Sequence, residues 1–203
     1  MQLQHALLEI AEIRERVAAA QVFRGYRAHG ALFSAILAFL MAGLQQWVLA
    51  EPTDELRTYV LFWSAVAVLS VAVNGVDLLV RWLGDPTGRE GTRTLTALRA
   101  LAPALATGAL ATVVIVLKAP ELGWTLPAVW SLLFAQGLFA SAPLLPRGVW
   151  WVGAYYVAAG LFVLTWAQDS QALAGWAMAL TFGVGQFLSA GVLYFSLERR
   201  CAE

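Results

Sequence analysis

Charge is scarce in this chain. Asp, Glu, Lys and Arg make up 13% of its 203 residues, about half the share found in an average soluble domain. Thiols and imidazoles are scarcer still, with one cysteine and two histidines. A lone Cys201 allows no internal disulfide. His5 precedes the apolar part of the chain and His29 sits at its edge, so no histidine pair lies within it to hold a haem, and the sequence implies no metal or other cofactor. The formal net charge is zero, which removes the electrostatic basis for nucleic acid as a partner. Walker loops, H-E-x-x-H, C-x-x-C and Gly-rich fingerprints followed by an acid do not occur. No nucleophile–base pair can be assembled, which points away from an enzyme.

Apolar residues are what the chain has in abundance. They form 60% of it, and the mean hydropathy is +0.69. Long uncharged runs of about 18 or more residues signal membrane spans, and six such regions occur, at about 30–50, 58–80, 98–117, 124–145, 149–168 and 173–197. At about 1.5 Å rise per residue, each can cross roughly 30 Å of hydrocarbon as a helix. Backbone groups in lipid must be paired within the segment, which selects helices. Barrel strands would alternate in polarity and be about half as long. The predicted fold is therefore all-α, a polytopic bundle of six transmembrane helices spanning 29–203, and the lipid bilayer is its principal partner.

The loops predict an orientation. Arg14, Arg16, Arg24 and Arg27 precede the first span, Arg81, Arg89, Arg93 and Arg99 fall around the second connection, Arg147 falls in the fourth, and Arg199 and Arg200 follow the last. Six crossings put all of these on one side and leave only Arg57 and Lys118 on the other, beside Glu51, Asp54, Glu55, Glu121 and Asp169. Positively charged loops stay in the cytoplasm, so both termini are expected there. The first 28 residues mix acids with arginines and do not read as a signal peptide.

Within 2–28, Leu3, Leu7, Ile10, Ile13, Val17 and Ala20 recur every three or four residues, the pattern of one helical face. The expectation is an N-terminal cytoplasmic amphipathic helix that lies on the membrane surface, docks on the inner loops or pairs with a second copy.

Few polar side chains interrupt the spans, and those few are the candidate site. Ser70, Asn74, Asp77 and Arg81 are spaced four, three and four, which puts them on one stripe of the second helix. Two readings compete: an Asp77–Arg81 pair near the cytoplasmic end with Asn74 bonded to a neighbouring helix, or a polar pocket open to the cytoplasm. An acid at mid-membrane costs about 2.5–3.5 kcal/mol on insertion scales, which favours the pair. Gln136 and Gln186 lie near the middles of the fourth and sixth spans. Amides at such depth bond across helices or contact a substrate.

Small residues every four positions, Ala104–Gly108–Thr112, Ala154–Ala158 and Gly185–Ser189, predict close helix contacts. Pro127 suits a first helical turn, and Pro143 and Pro146 suit the end of the fourth span. Trp47, Trp63, Trp124, Trp166 and Trp176 are expected in one headgroup belt and Trp82, Trp150 and Trp151 in the other, with Trp130 deeper against a helix.

Three stretches, "LRALAPALATGALAT" (98–112), "FASAPLLPRGVWWVGAYYVAAG" (139–160) and "GWAMALTFGVGQFLSAGVLYFSLER" (175–199), resemble a group of small uncharacterised six-span bacterial inner-membrane proteins often encoded beside winged-helix regulators. The resemblance implies that location and carries no activity or site. Two functions follow from the residues. One is a non-enzymatic accessory or regulatory membrane subunit acting through helix contacts, as a homo-oligomer or in a larger membrane complex. The other is a small-molecule or ion carrier or channel, as a single chain or a homodimer, lined by Asn74, Asp77, Gln136 and Gln186.

Overall fold

The computed structural model describes residues 28–49, 55–84, 89–167 and 171–198. Apart from Ala28, the predicted amphipathic segment lies outside them. The described residues are helical except at short connections, with no strand among them. The helices are α1 (Ala28–Val48), α2 (Glu55–Gly84) and α3 (Arg89–Lys118), then α4 (Leu126–Ser141) and α5 (Val149–Trp166). The last, α6, is composite: α-helical over Gly175–Met178 and Gly185–Leu193, π-helical over Ala179–Val184 and Tyr194–Glu198. Among the described residues, six helices are long and apolar enough to cross a membrane.

The helix ends differ from the hydropathy limits where the chain is polar. α2 continues to Gly84, and α3 begins at Arg89, nine residues before its predicted start. Backbone hydrogen bonding does not stop where the apolar run stops. The fourth span opens with a 3-10 turn, Pro120–Thr125, before α4, with Pro127 in the first turn of α4. A second 3-10 turn, Ala142–Leu144, contains Pro143 and closes it. Pro103 sits inside α3, and the Thr107 hydroxyl donates to the Pro103 carbonyl at 2.8 Å.

Neighbouring helices run antiparallel and close a ring in chain order, with α6 returning to α1. Ala28, Gly84, Arg89, Ser141 and Val149 mark the lower end of the bundle, and Val48, Glu55, Lys118, Trp166 and Gly175 the upper end. The ring is uneven. α4 packs along both α3 and α5, and α6 along α1, while α2 and α3 touch little. Only 11% of the apolar window is buried in each of α2 and α3, against 33–39% in the others. α2 engages through one narrow stripe: Tyr59 and Trp63 are buried, Val66, Ser70 and Asn74 half-buried, and most other positions exposed.

Aromatic packing fills the middle. Tyr156 is buried with Ala135 and Val152, against Phe134, Leu138 and Phe182. The Phe134, Tyr156 and Phe182 rings lie 4.9–5.8 Å apart in tilted or edge-on pairs, the arrangement the ring quadrupoles favour.

Two of the three small-residue repeats do what spacing predicts. Gly108 lies against Leu133, and Ala104 against Gly137, joining α3 to α4; Gly185 lies against the Tyr156 ring and Ser189 is buried. On α5 the contact falls elsewhere. Ala158 is exposed, and Gly153 and Gly160 meet Phe139 and the Ala128 carbonyl of α4 instead. Glycine admits the closer approach, and the backbone leaves room for no more.

Candidate interhelical polar site

Asn74 is half-buried on α2 and faces the first turns of α1. Its Nδ2 donates to the Ser70 carbonyl at 2.7 Å, to Ser34 Oγ at 3.2 Å and more weakly to the Gly30 carbonyl at 3.5 Å. Ser34 Oγ in turn donates to the Gly30 carbonyl at 3.1 Å. A Cβ at Gly30 would collide with Asn74 Oδ1, so the approach depends on glycine there. The stripe read from spacing thus brings Asn74 onto α1, with Ser70 half-buried one turn above it on the same helix face. Asp77 is exposed. It lies three residues beyond a side chain that contacts the third residue of α1, hence at the lower rim of the bundle. The Arg81 side chain, the other half of the expected pair, lies outside the described residues.

The two glutamines part company. Gln136 is exposed on α4. Gln186 is half-buried on α6, and its Oε1 is buried without a hydrogen bond among the described residues. They do share a level. Ser131 bonds the Tyr156 carbonyl at 2.8 Å and Phe139 abuts Gly153, so Gln136 between them is opposite the lower half of α5, below the mid-span depth expected for it. Gly185, next to Gln186, abuts Tyr156 at the same height.

At the upper end is a site the sequence did not disclose. Gln45, in the last turn of α1, is buried. Trp63 Nε1 donates to its Oε1 at 3.0 Å, and its Nε2 donates to the Leu173 carbonyl at 2.6 Å. One amide thereby joins α1, α2 and the segment before α6. Trp63 was expected at headgroup level; it is 3% exposed and packs with Tyr59 and Met178. Its indole N–H finds a protein acceptor, which removes the reason to seek the interface. The signal available was Gln45 itself, an amide within an uncharged run like Gln136 and Gln186. Trp47, Trp166 and Trp151 are widely exposed, and the Trp82 side chain lies outside the described residues.

Further bonds continue round the ring. Trp130 Nε1 donates to Thr112 Oγ1 at 2.8 Å and the ring stacks on Tyr59, so this deep tryptophan does meet neighbouring helices. The Tyr155 hydroxyl donates to the Leu180 carbonyl at 2.6 Å. The Tyr59 hydroxyl is buried without a hydrogen-bond partner among the described residues. Among the same residues no three His, Cys, Asp or Glu side chains come close enough to hold a metal.

By helix length and composition, then, the fold is that of a multi-pass membrane protein, with Asn74, Gln45, Trp130, Ser131 and Tyr155 bonded across helices. Compared with protein-family models, with curated proteins and with solved structures, the chain matches none.

Proposed function

We propose that the protein is a non-enzymatic accessory or regulatory subunit of a bacterial inner membrane, with both termini cytoplasmic, acting through helix contacts. The observation that supports it is a series of bonds between neighbouring helices other than the pair α2 and α3. Asn74 joins α2 to α1, Gln45 joins α1 to α2 and the last connection, Thr112 and Trp130 join α3 to α4, Ser131 joins α4 to α5, and Tyr155 joins α5 to α6. Polar side chains used in this way hold helices together and are not free to line a path. The bundle presents α2 and α3 as its most open helices, which suits a protein that docks others within the bilayer. The test is purification in mild detergent from its own membranes with identification of what accompanies it. A stoichiometric membrane partner is expected, and a chain that carries a solute across vesicles unaided would refute the reading.

The carrier reading retains one observation, the buried and unpaired Gln186 Oε1. Replacing both a polar group and its need for a partner is neutral or stabilising when the group is only structural. Gln186→Leu is therefore expected to leave thermal stability equal or raised. A variant that folds but loses solute flux in vesicles would favour the carrier.

A further inference from the structure

α4 is enclosed on three sides and carries an amide on the fourth. Gly137 meets Leu101 and Ala104 of α3, and Ala135 packs with Val152 and Tyr156 of α5. Phe134 and Leu138 face the aromatic core. At 3.6 residues per turn, Gln136 lies opposite those two, and it is exposed between buried Ala135 and Gly137. Ala140, one turn further on, is exposed on the same face. Gln136 is more than one turn above the lower end of α4 at Ser141 and opposite the Gly153–Tyr156 part of α5, which puts it in the lower half of the hydrocarbon if the bundle spans a bilayer.

We propose that this open face of α4 is a homodimer interface centred on Gln136, with two copies related by a two-fold axis and their amides bonded to each other. The proposal rests on the membrane reading above. Lipid tails offer an amide no partner, so leaving it exposed is costly. A carboxamide both donates and accepts. Under two-fold symmetry the same residue meets itself at the same depth, and each amide satisfies the other. A second copy is thus the one partner certain to bring a matching group to this height. Ala140 adds no bulk beside the crossing point and lets the helices approach.

Ala140→Cys in a Cys201→Ser background, oxidised in native membranes, is expected to give a disulfide-linked dimer. Val68→Cys, on an exposed part of α2, is expected to stay monomeric. Energy transfer between labelled copies in vesicles should show Gln136→Leu weakening dimerisation about 3- to 30-fold, the effect of one interhelical amide bond, and Gln136→Asn retaining most of it. Equal cross-linking at residues 68 and 140, a monomeric parent chain, unchanged dimerisation of Gln136→Leu, or capture of a different protein at residue 140 would each overturn the dimer. A chain that needs no detergent would overturn the membrane reading instead, so the two failures are distinguishable.

Discussion

At the scale of single residues, the polar groups within the apolar runs divide by what they bond. Asn74 was legible because spacing of four, three and four reports a helical stripe without any knowledge of the fold, and that stripe is the one α2 turns towards α1. Gln45 was not legible, because its two partners come from α2 and from a connection 128 positions along the chain. It nevertheless joins three parts of the chain through two bonds. Its loss leaves the buried Trp63 N–H and the Leu173 carbonyl without their partner, and an unsatisfied buried group costs about 1–3 kcal/mol. Gln45→Leu is expected to lower stability by about that amount in denaturant titrations in detergent. Gln45→Glu keeps an acceptor for Trp63 and, when ionised, no donor for Leu173, so it tests the two bonds separately. A Gln45→Leu variant as stable as the parent would mean that the buried amide contributes nothing to holding the upper end together.

At the scale of elements, hydropathy located each of the six long apolar helices among the described residues but not how each is made. α6 illustrates the gap. Its run of apolar residues satisfies a π-turn as readily as an α-turn, so nothing in composition announces the π-helical Ala179–Val184. Such stretches widen the helix and disturb the regular ladder of carbonyls. Here one of those carbonyls, Leu180, receives the Tyr155 hydroxyl from α5, while Gly183 and Gly185 admit the rings of Phe39 and Tyr156. The local irregularity is therefore matched by its neighbours on both sides. Tyr155→Phe removes the donor and keeps the ring. Losing one interhelical bond of this kind should speed hydrogen exchange about 3- to 30-fold at 179–185, with α3 and α4 unaffected. Uniform protection in the variant would show that packing alone fixes the π-turn.

At the scale of the whole molecule, the count of spans was readable because it depends on composition over about 20 residues, a local property. The arrangement was not, because residues facing lipid and residues facing the core are equally apolar. That is why α2 could be given its polar stripe from sequence while its 11% burial, and its position at the open side of the ring, could not be anticipated. Orientation is a separate matter, carried by the asymmetry of arginines between connections. The antiparallel ring requires that the lower ends of all helices share one side, so a single position tests every loop. With six crossings and the arginine-rich ends inside, the native Cys201 faces the cytoplasm, and Glu121, exposed in the 3-10 turn before α4, faces the periplasm. A membrane-impermeant maleimide applied to intact spheroplasts should label Glu121→Cys in a Cys201→Ser background and leave Cys201 of the parent chain unmodified until the cells are lysed. The reverse pattern would invert the molecule, putting Asn74 and Ser34 at the periplasmic surface and Gln45 at the cytoplasmic one. Labelling of both sites in intact cells would break the even number of crossings on which the ring depends.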